Sequence, residues 1–101
     1  MKIRLSDDHV RIRLARTDRA RLETDGLLSL PISVSPSDKF TVRLEGGESD
    51  SDGISVQLID SGMLIRTSNR MLQSLFDGVV SEIRREKDSD ECGVSIEVDI
   101  Q

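Results

Sequence analysis

Residues 77–81 read Asp-Gly-Val-Val-Ser, and residues 25–29 read Asp-Gly-Leu-Leu-Ser. The two glycines, Gly26 and Gly78, lie 52 positions apart (78 − 26). A glycine that follows a short helical stretch can end the helix in the left-handed conformation, and two apolar residues can then begin a strand. The near repetition therefore predicts that one structural unit occurs twice in the chain.

The segments on either side of these glycines also correspond, at a shift of 53 before them and of 54 after them. The matching pairs are residues 2–5 with 55–58, 10–13 with 63–66, and 40–45 with 94–99. A unit of about 50 residues buries too little surface to be stable alone, so both units should share one core. We predict a single domain, 1–101, in which pseudo-repeats 1–45 and 54–101 are joined by a polar linker, 46–53.

Apolar and polar residues alternate along most of both units, which is typical of strands with one buried face. The expected strands are 2–5, 10–14, 28–34, 40–45, 54–58, 63–67, 79–86 and 94–100. Two short helices are expected, the first capped by Thr17 and the second by Ser68 or Asn69. Pro31 indicates an edge strand or a bulge. The predicted fold class is α+β, a mostly antiparallel sheet or barrel of about eight strands, built as two ββαββ pseudo-repeats with two short helices.

The segment after Gly78 has two interpretations. Val79, Val80 and Ile83 continue the apolar spacing of the preceding helix, so a single helix could extend to Arg85. Glycine inside a helix costs about 1 kcal/mol relative to alanine. The comparison with Gly26 therefore favours a helix end at Gly78 and a strand over 79–86.

The charge distribution is uneven. The net charge is −5, but residues 1–21 hold seven Lys/Arg against three Asp, and the remaining residues hold seven against sixteen acids. The overall negative sign disfavours nonspecific contact with phosphate backbones. With two Phe and no Trp or Tyr, the chain also lacks the stacking residues of single-strand platforms. Nucleic acid is therefore not an expected partner.

Few residues suit catalysis or metal binding. Cys92 and His9 are the only cysteine and histidine, which excludes an intrachain disulfide and a zinc site of the usual composition. We expect His9 in an exposed turn and Cys92, among acidic residues, as an unreactive thiol. No phosphate-binding loop, dinucleotide fingerprint or calcium loop is present. We therefore predict no catalytic residue, cofactor or metal, and a cytoplasmic protein without a membrane span.

The strongest candidate site is a set of cations on the first hairpin. Arg4, Arg11 and Arg13, joined by Lys2, project from the side opposite the aliphatic residues. Guanidinium groups on adjacent strands can bind phosphate or carboxylate groups through paired hydrogen bonds. The alternative, which we favour, is a solvated face or one paired with acids of other strands. Those acids are Glu45, Glu97 and Asp99.

Two resemblances follow from these segments. Residues 1–5 read Met-Lys-Ile-Arg-Leu, and residues 10–14 read Val-Arg-Ile-Arg-Leu. With these segments, the turn at 60–62 and the strand at 96–100, the chain resembles a family of short, uncharacterised bacterial proteins. The family's last strand usually carries Glu-Lys-Asp-Phe, where this chain has Glu-Val-Asp-Ile. The resemblance implies a strand at 79–86 and no particular function.

The second resemblance concerns architecture. The strand count and the Arg-x-Arg strand are similar to those of enzymes that bind triphosphates inside an eight-stranded antiparallel tunnel. Those enzymes need a Glu-x-Glu-x-Lys strand near the N-terminus to hold metal and phosphate. Residues 2–6 read Lys-Ile-Arg-Leu-Ser instead, so the metal-binding carboxylates are missing. We do not expect that activity here.

The leading prediction is a non-enzymatic binding or assembly module. Open sheet edges and the helix that carries Met71 and Phe76 would engage a protein partner or a second copy of the chain. The alternative is an anion- or phosphate-binding domain, including a phosphohydrolase-like one, that binds a small anionic ligand through Arg4, Arg11 and Arg13.

Overall fold

We describe the fold from a computed structural model, which describes residues 1–48, 53–88 and 90–99. The described residues form eight strands and two helices. In chain order they are β1 (Lys2–Leu5), β2 (His9–Leu14), α1 (Asp18–Asp25), β3 (Leu27–Ser33), β4 (Lys39–Gly47), β5 (Ser55–Ile59), β6 (Gly62–Ser68), α2 (Asn69–Phe76), β7 (Ile83–Arg85) and β8 (Gly93–Val98). The predicted order of elements is confirmed.

The strands form two four-stranded sheets. Sheet A has the order β1-β2-β8-β7, and sheet B has the order β3-β4-β6-β5. Four of the six strand pairs are antiparallel, while the central pairs, β2 with β8 and β4 with β6, are parallel. The α+β prediction is confirmed. The barrel alternative is wrong, because the outer strands of each described sheet pair on one side only.

One hydrophobic core lies between the two sheets. Its buried side chains come from both sheets, from α2 and from Ile54 just before β5, so the two sheets share one core. They are Val10, Ile12, Leu14, Leu28, Val42, Leu44, Ile54, Ile65, Leu72, Leu75, Ile83, Val94 and Ile96. The alternation in the sequence thus places one face of each hairpin in this core.

The two sheets have equivalent connectivity. Each combines the first hairpin of one half with the second hairpin of the other half. The central pairs set Arg13 opposite Glu97 and Arg66 opposite Glu45. This register equates Glu45 with Glu97, a shift of 52 (97 − 45), where the sequence alone suggested Glu45 with Asp99. The equivalence supports duplication of a ββαββ unit, and duplication itself stays a prediction.

Helix α1 is capped differently from the prediction. Thr17 has helical backbone angles, and its side chain makes no capping hydrogen bond. Instead the Asp18 carboxylate accepts a hydrogen bond of 2.8 Å from the Ala15 N–H and lies 3.0 Å from the Met1 amino group. Gly26 ends the helix as predicted, with φ of +74°.

Helix α2 begins as predicted. The Ser68 hydroxyl accepts a hydrogen bond of 3.1 Å from the Met71 N–H, which satisfies one of the free donors at a helix start. Neither helix in the described part of the chain is long and apolar enough to cross a membrane.

The segment after Gly78 is a strand, but a shorter one than predicted. Gly78 has φ of +76°, so the single-helix alternative is wrong. The N–H groups of Val79 and Val80 donate to the Ser74 carbonyl oxygen at 2.9 and 3.3 Å. Because these bonds close the end of the helix, the chain enters β7 only at Ile83. The strand prediction is therefore wrong for 79–82, and also for residue 86, because β7 ends at Arg85.

Six other strands also differ from their predicted bounds, by one or two residues at an end. Strand β4 continues to Gly47, so the first two residues of the predicted linker are strand residues. Residues 49–52 of that linker lie outside the described residues, as does Ile100 at the predicted end of the last strand. Pro31 lies in β3, an outer strand of sheet B, as its missing N–H predicted.

Candidate functional site

The predicted cations lie together on the outward face of the first hairpin. In the β1–β2 register Arg4 is opposite Arg11, and Lys2 is opposite Arg13. All four side chains are exposed and line a shallow depression of about 260 Å³ together with Ile3. Like charges directly opposite each other on neighbouring strands are unfavourable. The hairpin therefore presents a concentrated positive charge to solvent.

Glu97 of β8 partly neutralises this face. The parallel pairing of β2 with β8 places Glu97 beside two arginines, with its Oε1 2.7 Å from Arg11 Nη2 and 3.2 Å from Arg13 Nη2. Partial burial acts to raise the pKa of Glu97, but the hydrogen bonds and charges of Arg11 and Arg13 outweigh it and hold the pKa below its usual value. Glu97 is therefore a carboxylate at neutral pH.

The other predicted acid partners lie elsewhere or act differently. Glu45 accepts a hydrogen bond of 2.9 Å from Arg66 in sheet B, so it does not reach the first hairpin. The Asp99 N–H donates to the Leu14 carbonyl oxygen at 2.7 Å. Within the described part of the chain, Lys2 and Arg4 make no ion pair. Of the four cations, Arg11 and Arg13 thus share the Glu97 carboxylate, while Lys2 and Arg4 project into solvent.

His9 is a strand residue rather than the exposed turn residue expected from the sequence. It is the first residue of β2 and is half-buried opposite Gly93. Its Nε2 lies 3.0 Å from Ser95 Oγ of β8. This hydrogen bond joins the central strands of sheet A, which is a structural role.

Cys92 also contacts a neighbouring side chain, that of Arg85. Arg85 Nη2 donates to the Cys92 carbonyl oxygen at 2.9 Å and lies 3.8 Å from its sulfur. Across residues 1–48, 53–88 and 90–99 there is no group of three or more His, Cys, Asp or Glu side chains placed to hold a metal ion.

The helix expected to engage a partner faces inward. Met71 and Phe76 are partly buried and pack against the core. The Arg19 guanidinium carbon lies 5.8 Å from the centre of the Phe76 ring, and Arg19 forms ion pairs with Glu23 and Asp77. Part of both apolar side chains is therefore covered by the protein's own residues, and engagement of a partner by this helix stays a prediction.

The other expected feature, an open sheet edge, is present in β5. Among the described strands β5 pairs only with β6, and it reads Ser-Val-Gln-Leu-Ile, with neither a charge nor a proline. Leu58 is 77% exposed. Sequence reasoning named sheet edges in general and missed this one, although the run of five uncharged residues was the available signal.

These features define the class of the protein as a small α+β domain of two four-stranded sheets that share one core. The chain belongs to DUF7009, a family of unknown function whose model matches residues 1–101. No curated protein and no solved structure matches the chain. Membership confirms the prediction of an uncharacterised domain family and assigns no activity.

Proposed function

We propose that the protein is a non-enzymatic binding module that accepts an extended segment as an additional strand beside β5. A strand at a sheet edge has N–H and C=O groups without ladder partners, and an extended peptide can bind to them while pockets for alternate side chains give specificity. The observation that carries the proposal is the uncharged outer edge of β5, beside which no other described strand lies.

The other three outer strands differ from β5 in ways that discourage such pairing. Strand β1 carries Lys2 and Arg4, and β3 contains Pro31. Strand β7 has only three residues, of which two are arginines. Charged residues, proline and short length are the devices by which proteins protect sheet edges. Strand β5 has none of them.

A labelled peptide of alternating threonine and valine tests this proposal. We expect its fluorescence anisotropy to rise on titration with the wild-type protein and to stay flat with Leu58→Lys, because an ammonium group would then lie on the edge. Val34→Lys is the matched control, since Val34 is 68% exposed but lies just beyond β3. Equal binding by all three proteins, or by none, contradicts the proposal.

The cationic face of the first hairpin supports a second candidate function, binding of a small anion of the phosphate type. The supporting observation is that four cations line one depression, and Glu97 pairs with two of them. Arg4 and Lys2 would supply the free donors, while Arg11 and Arg13 would divide theirs between Glu97 and the anion.

Thermal unfolding in the presence of tripolyphosphate tests the second candidate. We expect an increase in Tm that is lost in Arg4→Ala and reduced in Arg11→Ala and Arg13→Ala, because binding to the folded state alone stabilises it. Arg66→Ala is the control, since Arg66 occupies the position of Arg13 in sheet B. If tripolyphosphate does not raise the Tm of the wild-type protein, this second candidate function is excluded.

A further inference from the structure

The backbone groups that β5 leaves open can be assigned from its hairpin. A loop of two residues connects β5 to β6, and Ile59 and Gly62 flank it as partners. The two residues that flank a two-residue loop exchange backbone hydrogen bonds with each other. Along an antiparallel ladder, such hydrogen-bonded pairs alternate with pairs whose N–H and C=O groups point away from the partner strand. The N–H and C=O groups of Val56 and Leu58 therefore point away from β6, towards the side on which the described part of the chain places no strand.

This spacing makes β5 complementary to itself. Suppose that β5 pairs antiparallel with β5 of a second copy about a two-fold axis at Gln57. The numbers of any two residues that lie opposite each other then add up to 114. Val56 then exchanges two hydrogen bonds with Leu58 of the second copy, and Leu58 does the same with Val56 of the second copy. Gln57 lies opposite Gln57 of the second copy. All open backbone groups of the two residues are then paired.

The side chains favour the same arrangement. Side chains alternate along a strand, so Val56 and Leu58 lie on one face of sheet B. Val56 packs against the core, whereas Leu58 is 77% exposed. Self-pairing places Leu58 beside Val56 of the second copy, where apolar cross-strand pairs are favourable.

The charges permit this pairing at β5 and oppose it at β1. Residues 54–59 carry no charge, so no like charges face each other across the two-fold axis. The same arrangement at β1 would bring Lys2 and Arg4 of both copies together, which is unfavourable. This contrast selects a second copy as the occupant of β5.

We propose that β5 pairs with β5 of a second copy about a two-fold axis at Gln57, so that two copies of sheet B form one continuous sheet of eight strands. This inference rests on the proposed function, and it names a second copy of the chain as the partner that binds to β5. Five paired residues make a small interface, well below the roughly 1,000 Å² of a stable one, so the dimer is weak and depends on concentration.

Disulfide cross-linking tests the register directly. Residues opposite each other in an open antiparallel pair have Cα atoms about 4.5 Å apart, which lies within the range of a disulfide. In a Cys92→Ser background, Gln57→Cys should form a covalent dimer under mild oxidation. Ser55→Cys is the matched control, since the two copies of Ser55 would lie about 14 Å apart, or four strand residues.

The outcomes separate this inference from the proposed function. A dimer from Gln57→Cys and none from Ser55→Cys supports self-pairing. No dimer from Gln57→Cys, or equal amounts from both variants, overturns it. If the threonine–valine peptide still binds in that case, the proposed function stands with another partner; if it does not bind, both fail. Circular dichroism of each variant verifies that the fold is intact.

Discussion

The hairpins β1–β2 and β5–β6 occupy equivalent places in the two sheets, yet the side chains that they present to solvent differ in charge. At a shift of 53, inward residues correspond in kind, as Ile3 does with Val56 and Ile12 with Ile65. The outward residues differ, with Lys2, Arg4, Arg11 and Arg13 on one hairpin and Ser55, Gln57, Leu64 and Arg66 on the other. The inward positions thus specify the shared core, and the outward positions are where the two hairpins differ in charge.

The largest expected effect comes from the inward residues, where the hairpins are alike. Ile12 and Ile65 are both fully buried. We expect Ile12→Ala and Ile65→Ala each to lower the free energy of unfolding by about 2–5 kcal/mol, because each leaves a cavity in the shared core. Urea unfolding measures both. A loss below about 1 kcal/mol in one variant only would show that the two halves do not depend on one core.

The helix ends offer the second comparison. Gly26 and Gly78 both have positive φ, and a Cβ added at either would meet no atom within 4 Å. We expect Gly26→Ala and Gly78→Ala each to cost about 1–2 kcal/mol, because an L-residue is disfavoured in the left-handed region. Gly47→Ala is the control, since it has equal space without positive φ. Equal stability of all three variants would contradict this explanation.

The smallest effect concerns the ion pairs between the central strands. Glu97 contacts two arginines in sheet A, while Glu45 contacts one in sheet B. The arginines are largely exposed, so we expect Glu97→Gln to cost about 0.2–1 kcal/mol at neutral pH, and Glu45→Gln no more than that. A larger loss in Glu45→Gln would contradict the account of the cationic face.

The contribution of Glu97 should depend on pH with a defined sign. Because its pKa is lower in the folded state than its usual value, the stabilisation is complete above the usual value. It is lost as pH falls through the lowered pKa. Wild type and Glu97→Gln should therefore differ in stability at neutral pH and converge in acid. A difference that grows in acid would contradict the assignment.

Much of the fold could be predicted from the sequence because the signals are local. Alternating apolar residues mark the hairpins, and Gly26, Ser68 and Pro31 mark a helix end, a helix start and an edge strand. The start of β7 could not be predicted, because Val79 has the same apolar character as Leu27. Only the hydrogen bonds to Ser74 in the structure distinguish the two.

The residues of the candidate site were predictable, and so was a short list of acid partners that includes Glu97, but the sequence could not choose among Glu45, Glu97 and Asp99. The Arg-x-Arg pattern identified the cationic face, but Glu97 is its partner only because β8 pairs in parallel with β2. That pairing joins strands from opposite ends of the chain, and no local pattern encodes it. The open edge of β5 likewise follows from the order of strands in sheet B.

The central claim is that outward charge decides which edge pairs with a second copy. The average mass by light scattering, measured against protein concentration for wild type, Gln57→Arg and Arg4→Gln, tests it most directly. We predict that the wild-type mass rises from 11.2 kDa towards twice that value. Gln57→Arg should remain at the monomer mass, because it places guanidinium groups opposite each other, and Arg4→Gln should associate at least as strongly as wild type. A wild-type protein that stays monomeric at every concentration, or a Gln57→Arg variant that associates equally, would contradict the claim.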